Sequence, residues 1–301
     1  MGSRSELGHV VVIGGGAVGR LLADTLADDG SAVTLVDVAP APPDARHAQL
    51  ALDARTRSPQ LDAALAIADC ALVALPEAAA LEALPHVLEA LPAGALLADT
   101  LSVKTPFART ALAAGAPLEL CSLNPMFAPG LGFDGHAVIA VELAPGPRSR
   151  ALLTLLRKRA HVVTLPDAAA HDRATAVLQV AAHAGVLAFG LALARLDADL
   201  DALLPAAPPP FLALVALLAR ISDGAAETYA DVQRANPFAP EARAALRAAL
   251  DALDAAAADA DPHAAQAAVA AATAPLGAHR EALAAQAAAL LARVQAPPPA
   301  G

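Results

Sequence analysis

Gly14, Gly15, Gly16, Ala17, Val18 and Gly19 follow directly on a β-branched run, HVVVIG at 9–14, and lead into an apolar helical pattern over 19–29. A G-x-G-x-x-G spacing alone is weak, but between a strand and a helix it demands a tight turn and a helix lying close on that strand. Gly14 permits the turn, Gly16 lets the backbone approach a pyrophosphate, and Gly19 lets the helix pack closely. The helix N-terminus then offers its positive dipole end to phosphate. Asp37 closes a second β-branched run at 32–38, 18 residues after Gly19. A carboxylate there accepts hydrogen bonds from ribose hydroxyls and repels a 2′-phosphate, so NAD is the expected cofactor. The expected cofactor contacts are Gly14, Gly16, Ala17, Val18, Gly19, Asp37 and Pro76, the last just beyond a strand candidate at 70–75. The alternatives are a glycine-rich turn without ligand and an FAD site, whose usual companion domain is of mixed fold.

Short β-branched runs alternate with alanine-rich helical stretches as far as residue 165, with further strand candidates at 95–99, 118–121, 137–141 and 161–165. Such alternation builds a parallel sheet covered by helices. From Pro166 the strand signal stops, and long helical stretches follow, broken by prolines at 205–210 and by Asn236-Pro237. The expected architecture is α/β, a doubly wound Rossmann domain at 1–165, then an all-helical domain at 166–296 and a Pro-rich tail at 297–301. The alanine-rich region 252–291 reads as helices with one weakly apolar face rather than as a linker.

Charge and cysteine usage narrow the partners. Thirty acidic residues oppose 20 basic ones, and the basic residues form no stripe or tail, which argues against nucleic acid. Cys70 and Cys121 lie in apolar strand-like runs without metal or redox spacing, so two buried thiols and no metal are expected. No basic region followed by an apolar core opens the chain, and a cytoplasmic location is expected. Residues 174–194 are free of charge and long enough to span a bilayer. Gln179 and His183 lie inside that stretch and charged turns flank it. It reads as a helix buried in a domain core or against a second subunit, with no membrane partner.

Three clusters beyond the glycine turn carry chemistry. Asp99 to Lys104 (DTLSVK) follows a strand, at the carboxyl edge where doubly wound folds bind ligands. Lys104 is one of two lysines among 20 basic residues; the alternative for it is a solvated loop lysine. Asn124-Pro125-Met126-Phe127 follows the next strand. His171-Asp172-Arg173 opens the apolar helix that holds Gln179 and His183, where each polar group needs a partner or a ligand. A helix cap is the alternative for His171, and a satisfied core histidine for His183.

As a set, these motifs resemble the prephenate dehydrogenases of tyrosine biosynthesis over nearly the whole chain. The likeness includes the glycine turn, D-x-x-S-V-K at 99–104, N-P-M-F-x-P at 124–129 where the family has H-P-M-x-G-P, H-D-x-x-x-A-x-x-Q-x-x-x-H at 171–183, and Arg220 in LLARISDGAAETYADV. The resemblance implies a Rossmann domain with a helical dimerisation domain, NAD or NADP as cofactor, a cyclohexadienyl acid as substrate and a homodimer. Lys104, His171, Gln179, His183 and Arg220 are the expected substrate contacts, Arg220 through a carboxylate.

One departure stands out. The family's histidine of H-P-M is the base facing the substrate's 4-hydroxyl, and here that position is Asn124, which has no titratable nitrogen. A base contribution of about 10²–10⁴-fold is then missing. The branch of the family that acts on 4-amino-4-deoxyprephenate, giving 4-aminophenylpyruvate for 4-aminophenylalanine and antibiotic precursors, accounts for this, because an amine carries developing charge on its own lone pair. Asn124 and Ser102 are the expected catalytic contacts at C4. The alternatives are a prephenate or arogenate dehydrogenase, a non-catalytic NAD-binding sensor, and the β-hydroxyacid dehydrogenases and imine reductases. The hydroxyacid group expects a K-x-x-N that the 171–190 helix lacks.

Overall fold

The computed structural model describes residues 6–39, 46–223 and 226–295; the Pro-rich tail lies outside the described residues. The chain divides into two compact units, Met1–Thr175 and Ala176–Gly301.

In the first unit, β1 (His9–Ile13), α1 (Ala17–Asp28), β2 (Ala32–Asp37), β3 (Ala48–Ala51), α2 (Pro59–Ala66), β4 (Cys70–Val73), α3 (Glu77–Ala90), β5 (Leu96–Asp99), α4 (Thr105–Ala113), β6 (Glu119–Pro125), β7 (Ala137–Ala144), α5 (Pro147–Arg157), β8 (His161–Leu165) and α6 (Ala168–Thr175) follow in order. The strands form one eight-stranded sheet, β3-β2-β1-β4-β5-β6-β7-β8. Every neighbouring pair is parallel except β6 and β7, which run antiparallel. The segment joining β6 to β7 holds a 3₁₀ turn at Pro129–Leu131 and brings the chain back antiparallel, as a short connection allows.

The sheet is covered on both sides because its strands are apolar on both faces. Val11, Ile13, Val73 and Leu97 pack with Leu61 and Leu65 of α2, Leu84 and Val87 of α3 and Phe107 of α4. The alternate residues Val10, Val12, Leu72, Leu96 and Leu123 pack with Leu22 and Leu26 of α1 and Leu152 and Leu156 of α5. Each buried Leu or Val contributes about 1.5–3 kcal/mol. Cys70 and Cys121 are both buried, and burial pushes the Cys121 thiol up to about 12.

Strand register aligns the functional edge. Val36, Ile13, Val73, Asp99 and Ser122 form one row across β2, β1, β4, β5 and β6. Gly14, Asp37, the turn after Asp99 and Asn124 all lie just beyond it. The first unit extends past residue 165 because α6 packs on β7, β8 and α4.

The second unit begins with a π turn at Ala176–Ala181, continuous with α6, followed by α7 (Ala182–Arg195), α8 (Leu200–Leu203), α9 (Pro209–Asp223), α10 (Ala226–Ala235), α11 (Ala239–Ala258), α12 (Pro262–Thr273) and α13 (Arg280–Leu291). Phe189 of α7 meets Phe211 of α9 edge to face at 5.8 Å. A Cβ on Gly190 would lie 2.8 Å from Leu218, so this glycine lets α7 and α9 approach. Among the described residues the buried apolar cluster of this unit is small, Val180, Val232 and Ala239. The expectation of a helix buried in a domain core is therefore corrected: Val177 is 69% exposed, Leu178 55% and Leu191 65%. Among the described residues, nothing covers that face of the helix. By length and composition the helix Ala168–Arg195 also suffices to cross a membrane.

Candidate functional site

The glycine turn is built by close approach. Gly14 has φ +110°, and a Cβ there would fall 2.2 Å from the Ala74 carbonyl oxygen. A Cβ on Gly19 would fall 1.9 Å from the carbonyl oxygen of Gly14. Around Gly16, by contrast, nothing lies within 4 Å of an added Cβ. Two glycines thus serve packing, and the third opens a face. Among the described residues no side chain caps α1, and its first turn holds no acidic residue, so its N-terminal N–H groups and dipole suit an anion. Asp37 accepts from the backbone N–H of Gly15 (2.6 Å) and of Ala39 (2.9 Å), which fixes its carboxylate beside the turn. Ala17 and Val18 open α1, and Pro76 is the residue before α3, next to the Ala74 carbonyl that Gly14 approaches. Open space at Gly16, an uncapped helix N-terminus and a placed carboxylate fit a dinucleotide.

The turn after β5 is pinned from below. Asp99 is fully buried and accepts from Lys104 Nζ (2.6 Å), from the backbone N–H of Leu101 (3.0 Å) and from Ser122 Oγ. Lys104 Nζ donates a second bond to the Leu123 carbonyl (2.6 Å). The Lys104 side chain is fully buried. Burial pulls its ammonium below the ordinary lysine range, against the pull of Asp99. Lys104 is therefore neither a solvated loop lysine nor aimed at a ligand; the expected substrate contact is corrected to an internal ion pair that ties the β5–α4 turn to β6. Ser102, half-buried on that turn, is held by it.

Asn124 lies within β6 rather than after it, and is 2% exposed. Its Nδ2 stands 3.1 Å from His171 Nε2, and His171 Nδ1 stands 2.9 Å from Asp172 Oδ1. Asp172 in turn accepts from the backbone N–H groups of Lys104 (2.8 Å) and Thr105 (2.9 Å) at the start of α4. His171 is completely buried, and burial holds its imidazole below the ordinary histidine range, with the Lys104 charge adding to that and Asp172 opposing it. For Asp172, burial works toward the neutral acid, yet the bonds from His171, Thr105 and Lys104 hold its carboxyl below the usual carboxylate range. The expected contact of His171 with substrate is also corrected: both ring nitrogens are engaged, and the ring backs Asn124. Nor does it cap α6, since Asp167 Oδ1 takes the Ala170 N–H at 2.7 Å.

The second unit carries the remaining candidates. Gln179 sits in the π turn, where the adjacent Val180 carbonyl accepts from Gln233 Nε2 at 2.8 Å. His183 meets Tyr229 edge to face at 4.9 Å. Burial, and then the positive charge of Arg220, lower the His183 pKa. Its Nδ1 is buried without a hydrogen-bond partner. Arg220 is exposed on α9. Ser102, Asn124, Lys104 and His171 thus gather in the first unit, and His183 and Arg220 in the second. Sequence reasoning missed Asp99 as an acceptor, Ser122 and Tyr229. Asp172 was legible only as the neighbour of His171.

No family model matches the chain. It is 48% identical over 244 residues, 80% of this chain and 82% of the relative, to a 4-amino-4-deoxyprephenate dehydrogenase from Streptomyces pristinaespiralis. Among solved structures, a prephenate dehydrogenase from A. aeolicus in complex with hydroxyphenyl propionate and NAD+ superposes with a TM-score of 0.68 at 16% identity, over 83% of this chain and 90% of that one. A Synechocystis arogenate dehydrogenase gives a TM-score of 0.60 at 16% identity, over 82% and 91%. These two likenesses establish the fold, a largely parallel α/β sheet followed by helices.

Proposed function

The chain belongs to the prephenate dehydrogenase family, and on that premise we propose that it converts 4-amino-4-deoxyprephenate to 4-aminophenylpyruvate with NAD. It is a prephenate-type dehydrogenase catalysing oxidative decarboxylation. The observation that carries the amino substrate is Asn124, an amide anchored by His171 at the position where the resemblance places a histidine base.

Gly16, the start of α1 and Asp37 would hold NAD, which supplies the hydride acceptor when bound. Asp37 favours NAD over NADP because its carboxylate would face a 2′-phosphate. The chain's own task is to position the substrate. As hydride leaves C4, the lone pair of a neutral amine takes up the charge as an iminium. Electrons from the breaking C1–carboxylate bond then restore the lone pair while CO2 departs and the ring becomes aromatic. No proton has to leave the amine, so an amide suffices where a hydroxyl calls for a base. The Asn124 carbonyl would accept an N–H of the amine, and Ser102 would supply a second polar contact. Arg220 would pair with a substrate carboxylate in bidentate fashion. His183, with an unpartnered Nδ1, and Gln179 would contact the remainder of the substrate.

The exposed apolar residues Val177, Leu178 and Leu191, beside so small a core, support a homodimer formed through the helical unit. The family is one of soluble biosynthetic enzymes, and the inferred location is the cytoplasm. Comparing kcat/KM for 4-amino-4-deoxyprephenate and prephenate with NAD tests the assignment; a native preference for prephenate overturns it.

A further inference from the structure

We propose that His171 and Asp172 are positioning residues that set selectivity at the substrate's C4 by locking the amide of Asn124 in one orientation. The inference rests on the amine reading of the substrate and adds the device that enforces it.

The argument is one of donors and acceptors. A neutral imidazole has one N–H and one lone pair. Asp172, an ionised carboxylate, can only accept, and it lies 2.9 Å from Nδ1. Nδ1 therefore carries the proton and Nε2 the lone pair. Asn124 stands 3.1 Å from Nε2, so the end it turns to the ring is the NH2 end and not the carbonyl. Two backbone N–H groups at the start of α4 fix Asp172 itself, so the sequence of bonds runs from the α4 N-terminus through carboxylate and imidazole to the amide. All four participants are in the first unit.

The orientation matters for the reaction. A carbonyl accepts an N–H from the amine and leaves its lone pair for expelling hydride. An amide turned over would donate an N–H to that same lone pair and withdraw the electrons the step requires. Loss of the lock should thus appear mainly in kcat for the amine.

The test is a double-mutant cycle of His171→Leu and Asn124→Ala. His171→Leu should lower kcat for the amino substrate by about 3- to 10-fold, the range of one buried hydrogen bond, with a smaller change in KM. It should cause no further loss when Asn124 is already alanine. His171→Gln, whose Oε1 offers an acceptor near the place of Nε2, should retain most of kcat. Equal losses in both Asn124 backgrounds would overturn the proposal. Should His171→Leu fail to fold, neutron diffraction from native crystals decides: deuterium on Nδ1 supports the lock, and deuterium on Nε2 overturns it. If the native protein prefers prephenate, the substrate assignment fails on that result alone. The same cycle run on prephenate then reads the lock separately, with coupling between the two positions supporting it and additivity overturning it.

Discussion

Replacing Lys104 by methionine separates an internal ion pair from a substrate contact. The substitution keeps the stem of the side chain and deletes the ammonium, leaving the Asp99 carboxylate fully buried with two donors, Leu101 N–H and Ser122 Oγ–H. The Leu123 carbonyl also loses its bond to Nζ. Breaking a buried pair on one side costs about 3–5 kcal/mol, because the remaining charge stays desolvated. For a unit of this size that is a fall in Tm of roughly 10 °C. Adding Asp99→Asn to Lys104→Met removes the stranded charge and should restore more than half of the loss. Urea and thermal unfolding of the two single variants and the double variant measure this directly. Kinetics on the same proteins complete the experiment, since a shifted β5–α4 turn displaces Ser102 and lowers kcat. A Lys104→Met protein with normal Tm and a selectively raised KM for substrate would refute the reasoning and place the ammonium at the ligand.

Asn124→His should raise prephenate turnover by ~10-fold or more by restoring a base; His171 Nε2 stands ready to accept the new ring's N–H and fix its tautomer. No gain in a folded variant would count against the role given to position 124. The native enzyme should favour NAD over NADP by about a hundredfold in kcat/KM, because like charges brought together cost several kcal/mol; Asp37→Ala should narrow that gap, and equal values for the native protein would contradict it. Leu178→Glu should give monomer or insoluble protein by light scattering, and a native monomer at micromolar concentration would refute the dimer. The depressed histidines His171, His183 and His86 take up protons more readily when unfolded. Stability should therefore fall as pH drops through the ordinary histidine range, with a further loss below the usual carboxylate range as Asp172 is protonated. His171→Gln should flatten the first phase in urea titrations at stepped pH.

The strands with β-branched runs were legible in the sequence, since Val10 to Ile13 and Val33 to Val36 alternate faces of a doubly covered sheet. β3 was not, because its sequence AQLA carries no β-branched residue and pairs only at the sheet's edge with β2. Reversal at β7 escaped notice for a related reason: strand composition reports burial, and direction is set by the connection. Among site residues, the close packing at Gly14 and Gly19 was readable because a G-x-G-x-x-G spacing between a strand and a helix imposes it. Lys104 and His171 were recognisable as unusual, but β6 supplies a partner to each, the Leu123 carbonyl and the Asn124 amide. Only the fold shows that these polar groups satisfy one another. The exposure of α7 was hidden because apolar composition does not state which molecule supplies the cover.

The reversal between β6 and β7 also bears on how the protein reaches its folded state. The parallel pairings β1–β2, β4–β5, β5–β6 and β7–β8 each wait for a helix to be laid between their strands, and closing those longer loops is slow. β6 and β7 are joined by a short segment and can zip as a hairpin, pairing Asn124 with Ile139 and Pro125 with Val138 from local contacts alone. The strand bearing Asn124 thus belongs to a part of the sheet with a short search. Substitutions along it would act on the rate of folding as well as on the finished enzyme.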